Sequence, residues 1–260
     1  MTAELTPELT QDKFLGGRIK LWQPARGYRA GVDPVFLAAS INARAGQSVL
    51  DLGCGAGAAS LCLGARVDGL RLVGLERQAA YAELARRNAV ENAADFDVVE
   101  GDLSDMPPAL RQQRFDHVMA NPPYFLRSAS VAATDAGREG ALGEDTPLIN
   151  WVEAAAKRCA PGGTVTFIHR VARLPELITE FHRLLGSVEL VPLIPRIGRE
   201  SQLCIVRARK GGRAEFRIRP GLIVHNDTAH SCDKTDYSPD AARILKDAAA
   251  MPFLDNPVEN

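Results

Sequence analysis

A short apolar run followed by a glycine-rich turn constrains the fold of this chain most strongly. Residues 48–52, Ser-Val-Leu-Asp-Leu, have the length and composition of a buried strand. They lead into residues 53–57, Gly-Cys-Gly-Ala-Gly, after which alanines and leucines recur at helical spacing. Glycine adopts left-handed backbone conformations and lets a ligand approach the main chain closely. The pattern therefore predicts a strand, a tight ligand-binding turn and a helix.

Strand-sized and helix-sized segments alternate from residue 47 onward. Seven strands are predicted, at residues 48–52, 70–76, 97–100, 115–120, 163–169, 187–192 and 202–208. Helices are predicted at residues 57–66, 77–91, 147–159 and 174–185. Because strands that alternate with helices form parallel sheets, we predict an α/β, Rossmann-like fold with a seven-stranded, mostly parallel sheet and helices on both faces.

The rest of the chain flanks this alternating region. We interpret residues 1–46 as an N-terminal arm and lead helix packed on the core, residues 47–210 as the core, and residues 211–260 as a C-terminal extension of the same domain. The extension has a predicted helix at residues 239–250.

Two local features lie outside the predicted strands of the core. Asp33 followed by Pro34 is typical of a helix start, with the aspartate as the cap and the proline in the first turn, and predicts a helix at residues 33–43. Residues 125–146 are long for a connection inside a domain and rich in small residues. Such a segment is typical of a functional lid or of a disordered loop.

Composition excludes several classes of protein. Of the 260 residues, 46% are hydrophobic and 24% charged, as in ordinary globular chains. No apolar run approaches the roughly 20 residues of a membrane span, and the first residues do not resemble a secretory signal. The five cysteines are scattered without a Cys-x-x-Cys pair, which argues against disulfides and structural zinc. We expect a cytoplasmic protein with no metal and no membrane partner.

The formal net charge of −1 hides two basic segments. Residues 13–29 contain five basic and no acidic side chains, and residues 196–219 contain eight basic and two acidic ones. If both segments lie on one face, they would form a contact surface for a nucleic-acid backbone. The alternative is two solvated surfaces beside strands, and composition alone does not decide between them.

Two classes of cofactor could bind the glycine-rich turn. Gly53, Gly55 and Ala58 satisfy the loose dinucleotide pattern, and Glu76 follows at the spacing of a ribose-binding acid. Asp51 discriminates between the classes, because a carboxylate beside the turn would repel a pyrophosphate. S-adenosylmethionine has no phosphate and carries cationic groups, so the sequence favours it over a nicotinamide cofactor.

The turn with Glu76 resembles the cofactor loop of class I S-adenosylmethionine-dependent methyltransferases. The resemblance implies a class I methyltransferase fold and S-adenosylmethionine as cofactor. It implies that Glu76 binds the ribose hydroxyls and that Asp102, after the third strand, binds the adenine amino group; the alternative for Asp102 is a turn or helix cap. The cofactor-binding residues it implies are Asp33, Asp51, Gly53, Cys54, Gly55, Gly57, Glu76, Arg77, Asp102, Leu103 and Asn121.

The strand at residues 115–120 ends in Asn121-Pro122-Pro123-Tyr124, a pattern suited to methylation of an amino group. The two prolines stiffen the backbone and remove two amide donors, which leaves a rim of hydrogen-bond acceptors. A delocalised amine or amide nitrogen is a poor nucleophile, so acceptors must draw its hydrogens and orient its lone pair. We predict that Asn121 and the Pro122 carbonyl orient the nitrogen, that Pro123 stiffens the turn and that Tyr124 stacks on a planar acceptor.

The N-terminal segments Gln11-Asp12-Lys13-Phe14-Leu15-Gly16-Gly17-Arg18 and residues 23–33 resemble the bacterial tRNA1(Val) (adenine-37-N6)-methyltransferase family, and the likeness extends through Asn121 to Tyr124. The resemblance implies methyl transfer to N6 of adenine in tRNA, gripped by residues 13–29 and 196–219. It also implies that Asp33 helps to seat the methionine end of the cofactor. Residues 196–219 and the C-terminal tail are less diagnostic of the family.

Other acceptors remain open from the sequence. The same motif occurs in enzymes that methylate guanine N2 or the side-chain amide of glutamine in release factors. The 47 residues before the first strand leave little room for the helical domain of the glutamine enzymes. A binding module that no longer turns over is a further alternative, against which the intact Asn-Pro-Pro-Tyr motif argues.

Overall fold

The fold is built on strands and helices that alternate along the chain, in a computed structural model that describes residues 8–126, 143–144, 146–226 and 236–252. The strands are β1 (Leu9–Phe14), β2 (Ile19–Pro24), β3 (Ser48–Leu52), β4 (Arg71–Glu76), β5 (Phe96–Glu100), β6 (Phe115–Ala120), β7 (Phe125–Leu126), β8 (Gly143–Glu144), β9 (Cys159–Arg170), β10 (Gly186–Arg196), β11 (Leu203–Arg209), β12 (Arg217–Ile218) and β13 (Leu222–His225). The helices are α1 (Asp33–Ala39), α2 (Ala58–Gly64), α3 (Ala79–Glu91), α4 (Pro108–Arg111), α5 (Leu148–Arg158), α6 (Leu174–Leu184) and α7 (Pro239–Asp247), with 3-10 turns at Leu15–Gly17 and Val171–Arg173.

The central sheet has the strand order β5-β4-β3-β6-β9-β11-β10, and β12 and β13 both pair with β10 at its outer edge. The first five of these strands are mutually parallel, and β11 is antiparallel to β9 and to β10. The predicted α/β fold with seven mostly parallel strands is confirmed. The short strands β12 and β13 extend the sheet to nine strands and were not predicted.

The two faces of the sheet bury separate hydrophobic clusters. Val49 of β3 joins the cluster formed with α1, α2, α3 and α7, whereas Leu50 and Leu52 join the cluster formed with α4, α5 and α6. Alternate residues of a strand point to opposite faces, which explains this division. Helices therefore cover both faces, as predicted.

The N-terminal arm contains an antiparallel hairpin, β1 with β2, that the sequence analysis did not predict. Two asparagines one helical turn apart hold it, Asn88 within α3 and Asn92 at the C-terminal cap of α3. Asn88 accepts from the Trp22 amide at 2.7 Å and donates to the Trp22 carbonyl at 3.0 Å. Asn92 makes the same pair of bonds with Lys20, at 2.9 and 2.8 Å. The two amide side chains thus imitate a neighbouring strand.

The described parts of the N-terminal arm and of the C-terminal extension pack on the core. Leu15 and Leu21 of the arm and Ile244 of α7 belong to the same buried cluster as α1 and α2. We therefore propose that residues 1–46, 47–210 and 211–260 fold as one domain. No helix in the described ranges combines the length and apolarity needed to cross a membrane.

Most of the loop at residues 125–146 lies outside the described residues. Its ends, β7 and β8, pair in parallel. The prediction that this loop forms a lid lies outside what the structure describes.

We predict that Asn88→Ala destabilises the protein by about 2–3 kcal/mol, because it leaves buried backbone groups of the hairpin and of the glycine-rich turn without partners. Chemical denaturation measures this loss. Asn92→Ala is the matched control, since its bonds to Lys20 are solvent-exposed and its loss should stay below about 1 kcal/mol. Equal losses in the two variants would contradict this interpretation of Asn88.

Candidate active site

A cleft of about 180 Å³ opens at the carboxyl ends of β3, β4, β5 and β6. The strand register creates it, because Leu52 pairs with Leu75 on one side and with Ala120 on the other. The predicted site residues that line the cleft are Asp33, Asp51, Gly53, Cys54, Gly55, Glu76, Arg77, Asp102, Leu103, Asn121, Pro122, Pro123 and Tyr124. The structure therefore brings together all but one of the predicted residues.

The three glycines of the turn have positive φ angles but different surroundings. Gly53 has φ 67°, and a Cβ there would lie 2.6 Å from the Trp151 ring. Gly55 has φ 55°, and a Cβ there would meet nothing within 4 Å, since it borders the open cleft. Gly57, with φ 88°, is the exception among the predicted residues: it lies behind the turn against Phe96 and does not line the cleft. Its role is to let α2 begin close to the sheet.

Glu76 is fixed at the end of β4 by backbone donors. One carboxylate oxygen accepts from the Gly55 amide at 2.9 Å and the other from the Gln78 amide at 2.8 Å. Burial raises the pKa of Glu76, and these backbone hydrogen bonds oppose the rise. The side chain is thus oriented before a ligand arrives, and it ties the glycine-rich turn to the neighbouring strand.

Asp51 lies beneath the turn and is 3% exposed. Burial raises its pKa to about 7, the Ser60 hydroxyl that donates to it at 2.8 Å opposes the rise, and the charge of Glu76 adds to it. Two carboxyl groups therefore share one poorly solvated region. A cationic ligand would stabilise their ionised forms, whereas a pyrophosphate would be repelled.

The adjacent wall of the cleft follows β5. Asp102 accepts from the Ser104 amide at 2.7 Å, which forms the local turn that the sequence analysis named as an alternative. Its second oxygen lies 3.7 Å from an Arg77 guanidinium nitrogen. Leu103 adds an apolar surface beside them. Asp102 is thus both a turn residue and part of the cleft wall.

Asn121 has the most informative environment of the predicted residues. Its Oδ1 atom is buried and has no hydrogen-bond partner among the described residues. Buried polar atoms normally have partners, and one without a partner costs about 1–3 kcal/mol. Because the residue lines the cleft, this oxygen is available to a donor on a bound molecule.

Three side chains contact Tyr124 and hold its ring in place. Its hydroxyl donates to Asp33 at 2.6 Å, and its ring meets the edge of His169 at a centroid distance of 5.4 Å. The Arg170 guanidinium carbon lies 5.6 Å from the ring centroid. Burial and the Asp33 carboxylate raise the Tyr124 pKa, and burial lowers the His169 pKa to about 4, so the phenol and the imidazole are both neutral at pH 7.

The prediction that Asp33 caps α1 is wrong. The helix begins at Asp33 itself, its cap position is Val32, and no side chain caps it. The Asp33 carboxylate instead accepts from Tyr124, so it connects the start of α1 to the end of β6. A charge-assisted hydrogen bond to a phenol replaces the expected bond to a helix amide.

Several residues that line or support the cleft were not predicted from the sequence. Trp151 of α5 packs against Gly53, and its buried indole nitrogen has no partner among the described residues. Tyr28 lines the cleft and accepts a hydrogen bond from Tyr81 at its carbonyl. Asn88 also donates to the Ala56 carbonyl at 2.9 Å, so one side chain holds the hairpin and the glycine-rich turn. Trp151 and Asn88 belong to no recognisable motif, and Tyr28 lies in the N-terminal segment that resembles the family but was given no role there.

The two basic segments do not form one continuous face. Residues 28–31 reach the cleft, but Arg29 forms an ion pair with Asp12. In residues 196–219, Arg207 and Arg219 both pair with Glu189. Because β11 crosses the sheet, the residues just before it and the residues just after it lie at opposite edges of the sheet. Structural ion pairs and strand direction therefore favour the alternative of separate surfaces over a single one.

The chemistry of the cleft fits S-adenosylmethionine. Carboxylates at Asp33, Asp51 and Glu76 surround an open glycine-rich turn, which suits a sulfonium and an ammonium group. Across the described ranges, no three His, Cys, Asp or Glu side chains form a group that could bind a metal ion.

We predict that Asp51→Asn removes a pH dependence of stability. A carboxyl group with a raised pKa is protonated in the folded state at pH values where the unfolded chain has lost that proton, so its contribution to stability falls as the pH rises from about 4 to about 7. Relative to Asp51→Asn, the wild type should therefore lose about 3 kcal/mol between pH 4.5 and pH 8. Denaturation curves across this range test it, and parallel stability profiles would refute it.

Comparisons with known proteins agree with this geometry. The methyltransferase small domain family matches residues 31–139. Among solved structures, a predicted O-methyltransferase from Agrobacterium tumefaciens has a TM-score of 0.68 and 28% identity, covering 84% of this chain and 97% of that one. A 16S rRNA N2 G1207 methyltransferase from T. thermophilus, in complex with AdoMet and guanosine, has a TM-score of 0.55 and 19% identity, covering 78% and 50% of the two chains, and is similar in fold.

The curated relatives indicate a narrower family than the solved structures do. A tRNA1(Val) (adenine(37)-N6)-methyltransferase from Porphyromonas gingivalis strain W83 is 34% identical over 249 residues, covering 90% of this chain and 94% of the relative. One with the same name from Haemophilus influenzae strain Rd is 29% identical over 159 residues, covering 60% and 67%. The Asn-Pro-Pro-Tyr turn, the glycine-rich cleft and this full-length similarity together show that the chain belongs to the tRNA1(Val) (adenine(37)-N6)-methyltransferase family.

Proposed function

We propose that this protein transfers a methyl group from S-adenosylmethionine to the exocyclic N6 atom of adenine 37 in a valine tRNA. The observation that carries the proposal is the buried Asn121 Oδ1, which lacks a partner among the described residues and lines the same cleft as the glycine-rich turn. The names of the curated relatives support the same reaction. A cytoplasmic location follows from the tRNA substrate and belongs to the proposal.

Asn121 and Pro122 orient the acceptor nitrogen. The adenine amino group has two hydrogens and a delocalised lone pair, so it needs two acceptors. Asn121 Oδ1 takes one hydrogen and the Pro122 carbonyl takes the other. The lone pair would then point at the methyl donor, and because the nitrogen becomes acidic once it is methylated, it would release its proton to water, so no general base is needed before transfer. The Tyr124 hydroxyl donates its proton to a hydrogen bond with Asp33, and the His169 Nδ1 atom already accepts from the Arg170 amide, which agrees with a reaction that requires no base before transfer.

Tyr124 holds the plane of the adenine. A base that has left its stack gains about 1–3 kcal/mol by stacking on an aromatic ring. The hydrogen bond to Asp33 and the edge contact with His169 fix the ring before the base arrives, so little entropy is lost on binding. Asp33 is therefore a positioning residue for Tyr124, in addition to the role toward the methionine end that the family resemblance implies.

The remaining residues of the cleft hold the cofactor. S-adenosylmethionine supplies an electrophilic methyl group on a positively charged sulfur. Glu76 binds the ribose hydroxyls with the lone pairs that its backbone bonds leave free, and Asp102 binds the adenine amino group. Arg77 and Leu103 form the wall beside Asp102, while Gly53, Cys54 and Gly55 allow close approach to the main chain. Asp51 supplies negative charge beneath the cationic part of the cofactor.

The direct test of the activity uses labelled methyl groups. Protein incubated with methyl-labelled S-adenosylmethionine and total tRNA from a strain lacking this modification should yield labelled N6-methyladenosine after digestion to nucleosides, as mass spectrometry identifies it. Label on guanosine would indicate that the acceptor is guanine N2 and not adenine N6. Label on a release factor and none on RNA would favour the glutamine reaction instead.

The role of Asn121 predicts a specific kinetic loss. Asn121→Ala should lower kcat by about 100-fold, because the amine is no longer aligned, while the affinity for S-adenosylmethionine falls much less. Single-turnover kinetics and calorimetry separate the two effects. Asn121→Asp keeps an acceptor oxygen at the same place and should retain more activity than the alanine variant. Unchanged methylation by Asn121→Ala would contradict the proposed mechanism.

A further inference from the structure

A basic surface lies at the edge of the sheet opposite the cleft. The strands β6, β9, β11 and β10 are neighbours, and their register places residues 111–116, 158–163 and 209–217 side by side at this edge. The Gly162 amide donates to the Lys210 carbonyl at 3.0 Å, and the Lys210 amide donates to the Gly163 carbonyl at 2.9 Å. We call these three segments the amino-edge row.

The amino-edge row is strongly basic. It contains seven basic and two acidic residues, namely Arg111, Arg114, Arg158, Arg209, Lys210, Arg213 and Arg217 against Asp116 and Glu215. Asp116 accepts hydrogen bonds from the Ser48 amide and hydroxyl, each at 2.8 Å, which lower its pKa and direct it toward β3. The row therefore has an uncompensated positive charge.

Within the row, like charges lie close together. Arg158 is 7% exposed, and its Nη1 lies 3.4 Å from the Leu110 carbonyl and 3.5 Å from the Gln113 carbonyl. Burial lowers its pKa, and the charges of Arg114 and Arg111 lower it further. The positive charges of Arg111 and Arg114 thus disfavour the charged form of Arg158, and an anion placed against these residues would offset that effect.

The exposed cations of the row have few partners within the protein. Arg213 and Arg217 are exposed and form no ion pair with any described residue, in contrast to Arg207 and Arg219, which pair with Glu189. Phe216, between the two free arginines, is 45% exposed. A planar apolar ring among cations is typical of surfaces that bind nucleic acid.

We propose that the amino-edge row binds the phosphate backbone of the tRNA whose adenine occupies the cleft. This inference rests on the proposed function. The row spans four strand-to-strand steps from β6 to β12, roughly 19 Å at about 4.8 Å each. The seven residues of β11 separate it from the cleft edge by roughly 20 Å, about six nucleotides of a strand. An RNA helix that leaves the cleft can therefore reach the row.

The test removes three exposed charges at once. The row variant combines Arg114→Gln, Arg213→Gln and Arg217→Gln, residues whose side chains form no ion pair with the described part of the chain. The control variant combines Arg86→Gln, Arg183→Gln and Arg243→Gln, which gives the same net charge but distributes the changes over α3, α6 and α7. Binding of unmodified tRNA is measured across a range of salt concentrations for both variants and the wild type.

The row variant should bind tRNA about tenfold more weakly than the control variant. Its slope of log Kd against log salt concentration should fall by about 2, because each phosphate contact contributes roughly 0.7–0.9 to the slope. Its affinity for S-adenosylmethionine and its kcat at saturating tRNA should stay within twofold of the wild type. Equal slopes for the row and control variants would overturn the inference.

The same samples separate this inference from the proposed function. If the wild type methylates tRNA and the row variant keeps the salt slope of the control variant, the amino-edge row does not bind tRNA, and the proposed methyl transfer is unaffected. If the wild type binds tRNA with the expected slope but transfers no methyl group, the proposed reaction is wrong.

Discussion

The parallel pairing of β3 with β6 is the constraint on which the rest of the site depends. Leu52 and Ala120 are register partners and the last residues of their strands, so the glycine-rich turn and Asn121 begin at the same point of the sheet edge. Two segments almost 70 residues apart in sequence thereby form one cleft. Glu76 is the last residue of the neighbouring strand β4 and accepts from the Gly55 amide, so the end of β4 also borders the cleft. The chemistry of methyl transfer to nitrogen then needs only an acceptor oxygen on one side of the cleft and a cationic methyl donor on the other.

Side chains at the end of α3 hold the N-terminal hairpin beside the cleft. The hairpin pairs with no strand of the central sheet, and Asn88 and Asn92 on α3 supply the hydrogen bonds that such a strand would have supplied. Because Asn88 also holds the Ala56 carbonyl, the position of the hairpin and the shape of the glycine-rich turn depend on one buried side chain. Tyr28, which follows the hairpin, reaches the cleft as a result.

The sequence predicts the parts of this molecule that follow from local pattern. In the seven predicted strands and the helices beside them, apolar residues occur at the spacing typical of a strand or of a helix. The glycine-rich turn and the Asn-Pro-Pro-Tyr motif mark the ends of β3 and β6. The hairpin was missed because its binding to α3 depends on side chains that helical periodicity does not distinguish. Trp151 was missed because only packing shows that it fills the space beside Gly53. The sequence left open whether the basic residues 196–219 share a surface, because the answer depends on strand direction and on the Glu189 ion pairs, which divide them.

The most direct measurement is a crystal structure of the protein with S-adenosylhomocysteine and an RNA that contains the target adenine. The account predicts that the adenine amino nitrogen lies within hydrogen-bond distance, about 2.7–3.2 Å, of Asn121 Oδ1, and that the base stacks on Tyr124. An adenine outside the cleft, or an Asn121 side chain bonded to the cofactor or to protein atoms and turned away from the base, would contradict it.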